Sequence, residues 1–240
     1  MTALARHGTA VRLVATCALV MTMVLTLARL DLAKRTGDRD ERLSFPSGAF
    51  LVESSLGFRA AFADYLWFRF IQYFGSYAKG QHDLRYFDVL LDSITRLDPR
   101  FIEAYHFGSL VAWSEEGDFD KAVDILKRGI VHNPDTAELP FQVAFIYYVF
   151  YREYALASFW FEAASKCSDA TDREARFAAF ARYKAGDERV SLELWRDLAK
   201  SSSSREMREL AERMIRKLER KLEIRQLYGD DFIGPIPEEI

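Results

Sequence analysis

Helix punctuation recurs in this chain at a fixed distance. Asp98-Pro99, Asn133-Pro134 and Ser168-Asp169 follow one another at intervals of 35 residues. A period in the mid-thirties with two helices per unit predicts a helical solenoid. A two-helix unit cannot bury its apolar faces alone, whereas stacked units share a continuous core. Only 12 Gly and 6 Pro occur in 240 residues, which fits long helices better than a turn-rich β fold. From about Ala49 to Leu227 the chain reads as helix after helix. Asp98-Pro99 predicts an N-cap with Pro at the first helical position. Asp135 with Glu138, Thr171 with Glu174 and Ser203 with Glu206 have capping-box spacing. Gly117-Asp118 and Gly186-Asp187 predict tight turns.

Aromatic residues cluster twice. Eight lie between Phe58 and Phe74, and nine between Phe145 and Phe161. Arg59, Asp64 and Arg69 interrupt the first cluster, and Arg152 and Glu153 the second. Buried helices of a packed bundle are therefore expected there, not membrane spans.

The stretch AYHFGSLVAWSEEGDFDKAVDILKRGIVHNPD resembles the tetratricopeptide repeat with one residue inserted. Tyr105 matches the aromatic of the first helix, Gly117-Asp118-Phe119 the inter-helix turn, Ala122 the small packing residue of the second helix, and Pro134 the closing proline. Ala137 to Asp169 is similar again through Val143, Ala144, Tyr147, Tyr154, Ala157, Phe161 and Ala164. Thr171 to Ala199 is similar through Ala179, Gly186, Asp187, Trp195 and Leu198. A degenerate earlier unit pairs a helix at 58–76 with one at 84–97. Gly129, where the family usually has Ala, and Pro140 near a helix start depart from the pattern. The resemblance covers residues 58–200 and implies an all-α solenoid of antiparallel helix pairs. The stretch SLGFRAAFADYLWFRFIQYFG also looks like the opening helix of membrane-anchored bacterial repeat proteins.

Leu13 to Ala28 is sixteen residues without a charge. As a helix it spans about 24 Å, and Arg12 and Arg29 could snorkel to lengthen it. We expect a single-pass, uncleaved inner-membrane anchor. A cleaved signal peptide is the competing reading, without a convincing small-x-small cleavage site after the run. Counting Lys and Arg alone places the C-terminal part in the cytoplasm. Net charge, +2 plus the terminal amine before the run against 5 − 4 = +1 after it, points to the outer side, the orientation adopted here. The expected organisation is an anchor at 1–33, a linker at 34–48, repeats at 49–200, a charged capping helix at 201–227 and a tail at 228–240. Arg205 to Arg225 holds 13 charged residues in 21, with Met207, Leu210, Met214, Leu218 and Leu222 on one stripe. That pattern suits a solenoid cap, with a coiled-coil strand as the alternative.

A formal net charge of −3 argues against a nucleic-acid partner. Two cysteines, Cys17 and Cys167, cannot build a disulfide framework or a thiolate metal site. Glu103-x-x-His106 is half of a di-iron arrangement without a second copy. No phosphate-binding Gly-rich loop, Gly-x-Ser-x-Gly elbow or Cys-x-x-Cys is present. No enzyme, cofactor or metal is expected. In the repeat family the first helix of each unit lines a concave groove. The resemblance then implies groove positions Glu103 and His106, next Glu138, Phe141, Phe145 and Tyr148, and last Arg173, Arg176, Phe180 and Tyr183. Aromatics mixed with Arg suit a peptide segment or acidic tail, although Phe145 and Phe180 could equally be core. The expected function is a scaffold for protein–protein interaction in an envelope or membrane-associated assembly. The alternative is a helical module holding a lipid or glycan.

Overall fold

The computed structural model describes residues 48–81 and 83–229, together with Ala18, Met21, Thr22 and Leu25. The chain divides into two units, Met1–Ser44 and Phe45–Ile240. In the first, the four described residues are helical, and Met21 and Leu25 are exposed. The expected anchor at 1–33 otherwise lies outside the described residues, as do most of the linker and the tail. Among the described residues no helix is long and apolar enough to cross a membrane.

The second unit is all-α among its described residues. Its helices are α1 (Gly48–Ser54), α2 (Arg59–Tyr77), α3 (Phe87–Leu97), α4 (Ile102–Ser114), α5 (Phe119–His132), α6 (Glu138–Ile146), α7 (Tyr154–Ser165), α8 (Asp172–Lys184), α9 (Glu188–Ser201) and α10 (Arg205–Tyr228). A π-helical turn, Tyr147–Tyr151, prolongs α6. Packing follows chain order, α2 on α3, α4 on α5, α6 on α7, α8 on α9 and α9 on α10, while α4 also touches α6. This arrangement of consecutive, mostly antiparallel helices is compatible with a helical repeat.

The turns within the pairs share one device. Gly80, Gly117 and Gly186 have φ of +72°, +69° and +85°, and Arg152 takes the corresponding place between α6 and α7 at φ 57°. Such a left-handed residue ends a helix without steric cost only when it is glycine. After Gly117 and Gly186 the next residue caps the following helix, whereas Gly80 is followed by a longer loop that ends at Tyr86. Asp118 accepts from Lys121 N–H at 2.9 Å and Asp187 from Val190 N–H at 3.3 Å. The backbone N–H of Asp118 donates to Ala112 O at 2.9 Å and that of Glu153 to Tyr147 O at 3.0 Å, the same bond one period apart.

Other caps differ from expectation. Asp98 does not cap α4; its N–H closes α3 on Ile94 O, and its carboxylate accepts from Arg100 N–H at 2.9 Å. Asp135 makes no capping box either. The Ala137 amide at the start of α6 donates to Asp169 Oδ1 at 2.7 Å, across 32 residues. The Thr171–Glu174 capping box forms as expected. At α10 the cap is Ser204, one residue beyond Ser203, accepting from Met207 N–H at 3.3 Å.

Small residues stand where the helices approach closest. Ala122, Ala157 and Ser191, at equivalent points of α5, α7 and α9, are all fully buried. Ser158 and Ser191 donate to Ala178 O and Ala179 O of α8 at 3.2 and 2.8 Å. Aromatic rings fill the remaining space: Phe141, Phe161 and Phe177 touch one another with centroids 5.1–5.4 Å apart. The helix α10 packs on α9. Ala211 and Leu218 are buried with Leu192, Trp195 and Leu198 of α9, with Met207, Leu210, Met214 and Leu222 alongside. Glu188 fastens it, bonded to Lys221 and Arg225, each at 2.8 Å.

Candidate interaction face

The expected groove positions fall on α4, on α6 with its π-helical turn, which holds Tyr148, and on α8, the first helices of three successive pairs. Sequence positions 35 apart recur in columns there, Glu103, Glu138 and Arg173 in one, His106, Phe141 and Arg176 in the next. Phe145 with Phe180 and Tyr148 with Tyr183 continue the pattern.

The first two columns interlock. Glu138 Oε2 accepts from Arg173 Nη2 at 3.0 Å, and Glu138 Oε1 accepts from Gln142 Nε2 at 2.7 Å. His106 Nε2 lies 3.8 Å from Glu138 Oε1. Burial alone would raise the Glu138 carboxyl, but Gln142, Arg173 and His106 outweigh it and hold the group below its ordinary value. Arg173 also pairs with Glu174 at 2.7 Å, and its guanidinium lies 4.1 Å from the centroid of the Phe141 ring. This cation–π contact and the two carboxylates leave Arg173 committed within the fold. Arg176 lies 5.3 Å from the Phe177 ring, with no ion pair to a carboxylate among the described residues.

The aromatic positions divide. Phe141 is 7% exposed and belongs to the core cluster, which corrects its expected place on an accessible groove. Phe180 is half-buried, edge-on to Trp195 at 4.9 Å. Tyr183 lies beneath Lys221 of α10 at 4.8 Å, so the cap partly covers the last groove position. Phe145 and Tyr148 remain half-buried, against Phe150 and Tyr154. Leu110 and Trp113, which occupy the same columns on α4, were missed. Leu110 is exposed and Trp113 half-buried against Phe150. The 35-residue offset from Phe145 and Tyr148 was the signal that could have found them.

Chemistry elsewhere is sparse. Among the described residues no group of three or more His, Cys, Asp or Glu could hold a metal ion. Cys167 is partly buried, with Sγ 3.7 Å from Pro134 O, and burial first, then Asp169, pushes its thiol pKa up. That opposes thiolate chemistry. A scan of protein-family models finds no match to the chain, and a search of the curated proteins finds none.

Proposed function

We propose that the protein is a membrane-anchored, tetratricopeptide-like scaffold that holds a protein partner on the face built by α4, α6 and α8. The anchor is the uncharged run Leu13–Ala28, and the repeat unit lies outside the cytoplasm. The observation that carries the reading is the register of this face. The Glu138–Arg173 pair joins residues 35 apart, so repeat-equivalent positions of neighbouring units meet side by side. Such a face offers a peptide the same surface at regular steps. Arg173 is already neutralised and His106 faces Glu138, so of the groove positions named only Arg176 is left for an acidic tail. A peptide segment with apolar side chains, seated on Leu110, Trp113, Phe145 and Tyr148, fits better. The interior aromatics pack on one another, which favours a scaffold over a ligand-holding module.

The test is site-specific photocrosslinking in native membranes. A photoreactive residue at Phe145, Tyr148 or Arg176 should capture one stoichiometric protein, identified by mass spectrometry. The adduct should vanish in a Tyr148→Ala/Arg176→Glu variant whose circular dichroism is unchanged. Crosslinks confined to other faces would overturn the reading.

A further inference from the structure

The face built by α4, α6 and α8 keeps its unpaired charges in one order. Most of its charges cancel inside the fold. Glu138 and Arg173 neutralise each other, Arg173 also holds Glu174, and His106 faces Glu138. Glu116 pairs with Lys121, and Arg182 with Glu162. Asp172 accepts from the Ser202 hydroxyl. At the π-helical turn Arg152 and Glu153 are both exposed, opposite charges side by side. Lys221, which lies over Tyr183, is held by Glu188. What is left on α4 is acidic. Glu103 and Glu115 are exposed, and neither pairs with a cation among the described residues. Glu115 accepts only from hydroxyls, that of Tyr77 at 3.0 Å and that of Ser114 at 3.4 Å. What is left on α8 is basic. Arg176 is half-buried over the Phe177 ring and Lys184 is exposed, and neither pairs with a carboxylate among the described residues. Between these charges an apolar strip crosses from Leu110 and Trp113 over Phe145 and Tyr148 to Phe180 and Tyr183.

We propose that this face takes a segment of a protein partner that lies across the helices, with Lys or Arg at α4, apolar side chains over the middle and Asp or Glu at α8; the inference rests on the scaffold reading and gives the partner its chemistry. The helices that carry the charges are neighbours. α4 touches α6, and the Glu138–Arg173 pair joins α6 to α8. Packed helices lie about 8–10 Å apart, so α4 and α8 are about 20 Å apart. An extended segment covers that distance in about six residues. The apolar strip supplies the contact area, because exposed ion pairs add little each. The charges select. A segment basic at both ends is repelled by Arg176 and Lys184, and one acidic at both ends by Glu103 and Glu115. The same order sets direction, since a segment laid the other way meets like charge at both ends.

The full chain in detergent is titrated into three fluorescent peptides that share an apolar middle of three Leu-Ser repeats, with anisotropy as the readout. The first carries two lysines before the middle and two glutamates after it. The second carries lysines on both sides, and the third glutamates on both. The mixed peptide should bind about fivefold more tightly than either of the others, and the gap should shrink in high salt. Arg176→Glu/Lys184→Glu should make the lysine-only peptide the tightest, and Glu103→Lys/Glu115→Lys the glutamate-only one. Glu103→Gln/Glu115→Gln keeps an acceptor for Tyr77 and should erase the discrimination against the glutamate-only peptide. Circular dichroism checks the fold of each variant. Equal binding of the three peptides, no saturable binding of the mixed one, or an order that the substitutions leave unchanged overturns the proposal. Two outcomes separate it from the scaffold reading. A partner captured from Phe145 or Tyr148 in membranes, whose crosslinked segment lacks this charge order, overturns the proposal and leaves the scaffold. The expected peptide selectivity without any captured partner overturns the scaffold and keeps the charge preference of the face.

Discussion

At the residue scale the most informative position is Arg152. It takes the left-handed conformation that Gly80, Gly117 and Gly186 take in the other turns. A side chain there costs about 1 kcal/mol relative to a comfortable backbone, and the Arg152 side chain is exposed. Arg152→Gly should raise stability by up to about 1 kcal/mol, net of the extra freedom glycine gives the unfolded chain. Urea unfolding would show this as a higher midpoint at constant m. Gly129 is the converse case. A Cβ at this position would lie 2.7 Å from Tyr105 Cγ and 2.9 Å from Leu139 Cδ1. A side chain at 129 would therefore collide with both neighbouring helices. Gly129→Ala gains helix propensity but overpacks a three-helix junction, and should destabilise by about 1–2 kcal/mol in the same assay. Pro140 is tolerated for a different reason. It lies in the first turn of α6, where amides have no intrahelical acceptor, so the missing N–H leaves nothing unpaired.

At the scale of elements, caps and clamps couple neighbours. The α6 start depends on Asp169, from the loop that precedes α8. Asp169→Ala should cost about 1 kcal/mol and loosen α6 although α6 itself is unchanged, which backbone hydrogen exchange at the start of α6 would register. The clamp on α10 adds a pH dependence. Burial opposes ionisation of Glu188, but Lys221 and Arg225 outweigh it and hold the carboxyl below its ordinary 4.5. Glu138 and Glu174 are lowered in the same sense. Below pH 4.5 the unfolded chain therefore binds more protons than the folded one, and stability falls with falling pH. The contribution is complete above that value and is lost as the folded groups titrate. Thermal midpoints should be flat from pH 7 to 5 and decline below about 4.5, less steeply in Glu188→Gln. A decline of equal steepness in that variant would refute the role given to the clamp.

At the scale of the whole molecule, stability comes from neighbours in sequence order. From α2 onward each helix packs on the next, α1 packs on α3, and α10 packs on α9 at the C-terminal side. A chain ending at Ser204 would expose Leu192, Trp195 and Leu198. It should unfold at lower temperature and aggregate, measurable by light scattering during a thermal ramp. In hydrogen exchange the slowest amides should lie in α6, α7 and α8, flanked on both sides, and the fastest in α2 and the distal half of α10.

Much of this was legible in the chain. Helix order, the 35-residue period, the Gly-Asp turns at 117 and 186, and the apolar stripe of α10 rest on local periodicity and backbone preference, which any segment carries with it. What the tertiary structure decided depends on the partner across a helix pair. Asp135 and Asp169 are both plausible caps in sequence. Only packing brings Asp169 to the Ala137 amide. Phe141 and Phe145 look alike on α6, yet Phe177 and Phe161 close over the first and leave the second half open. Arg173 reads as a free cation until Glu138, one period away, neutralises it. The α2 aromatics look alike in sequence, yet packing buries Phe70 and Tyr73 and leaves Phe62, Tyr65 and Phe68 exposed. Local sequence determines which elements form. Contacts between residues some thirty positions apart determine which of their faces remain for function.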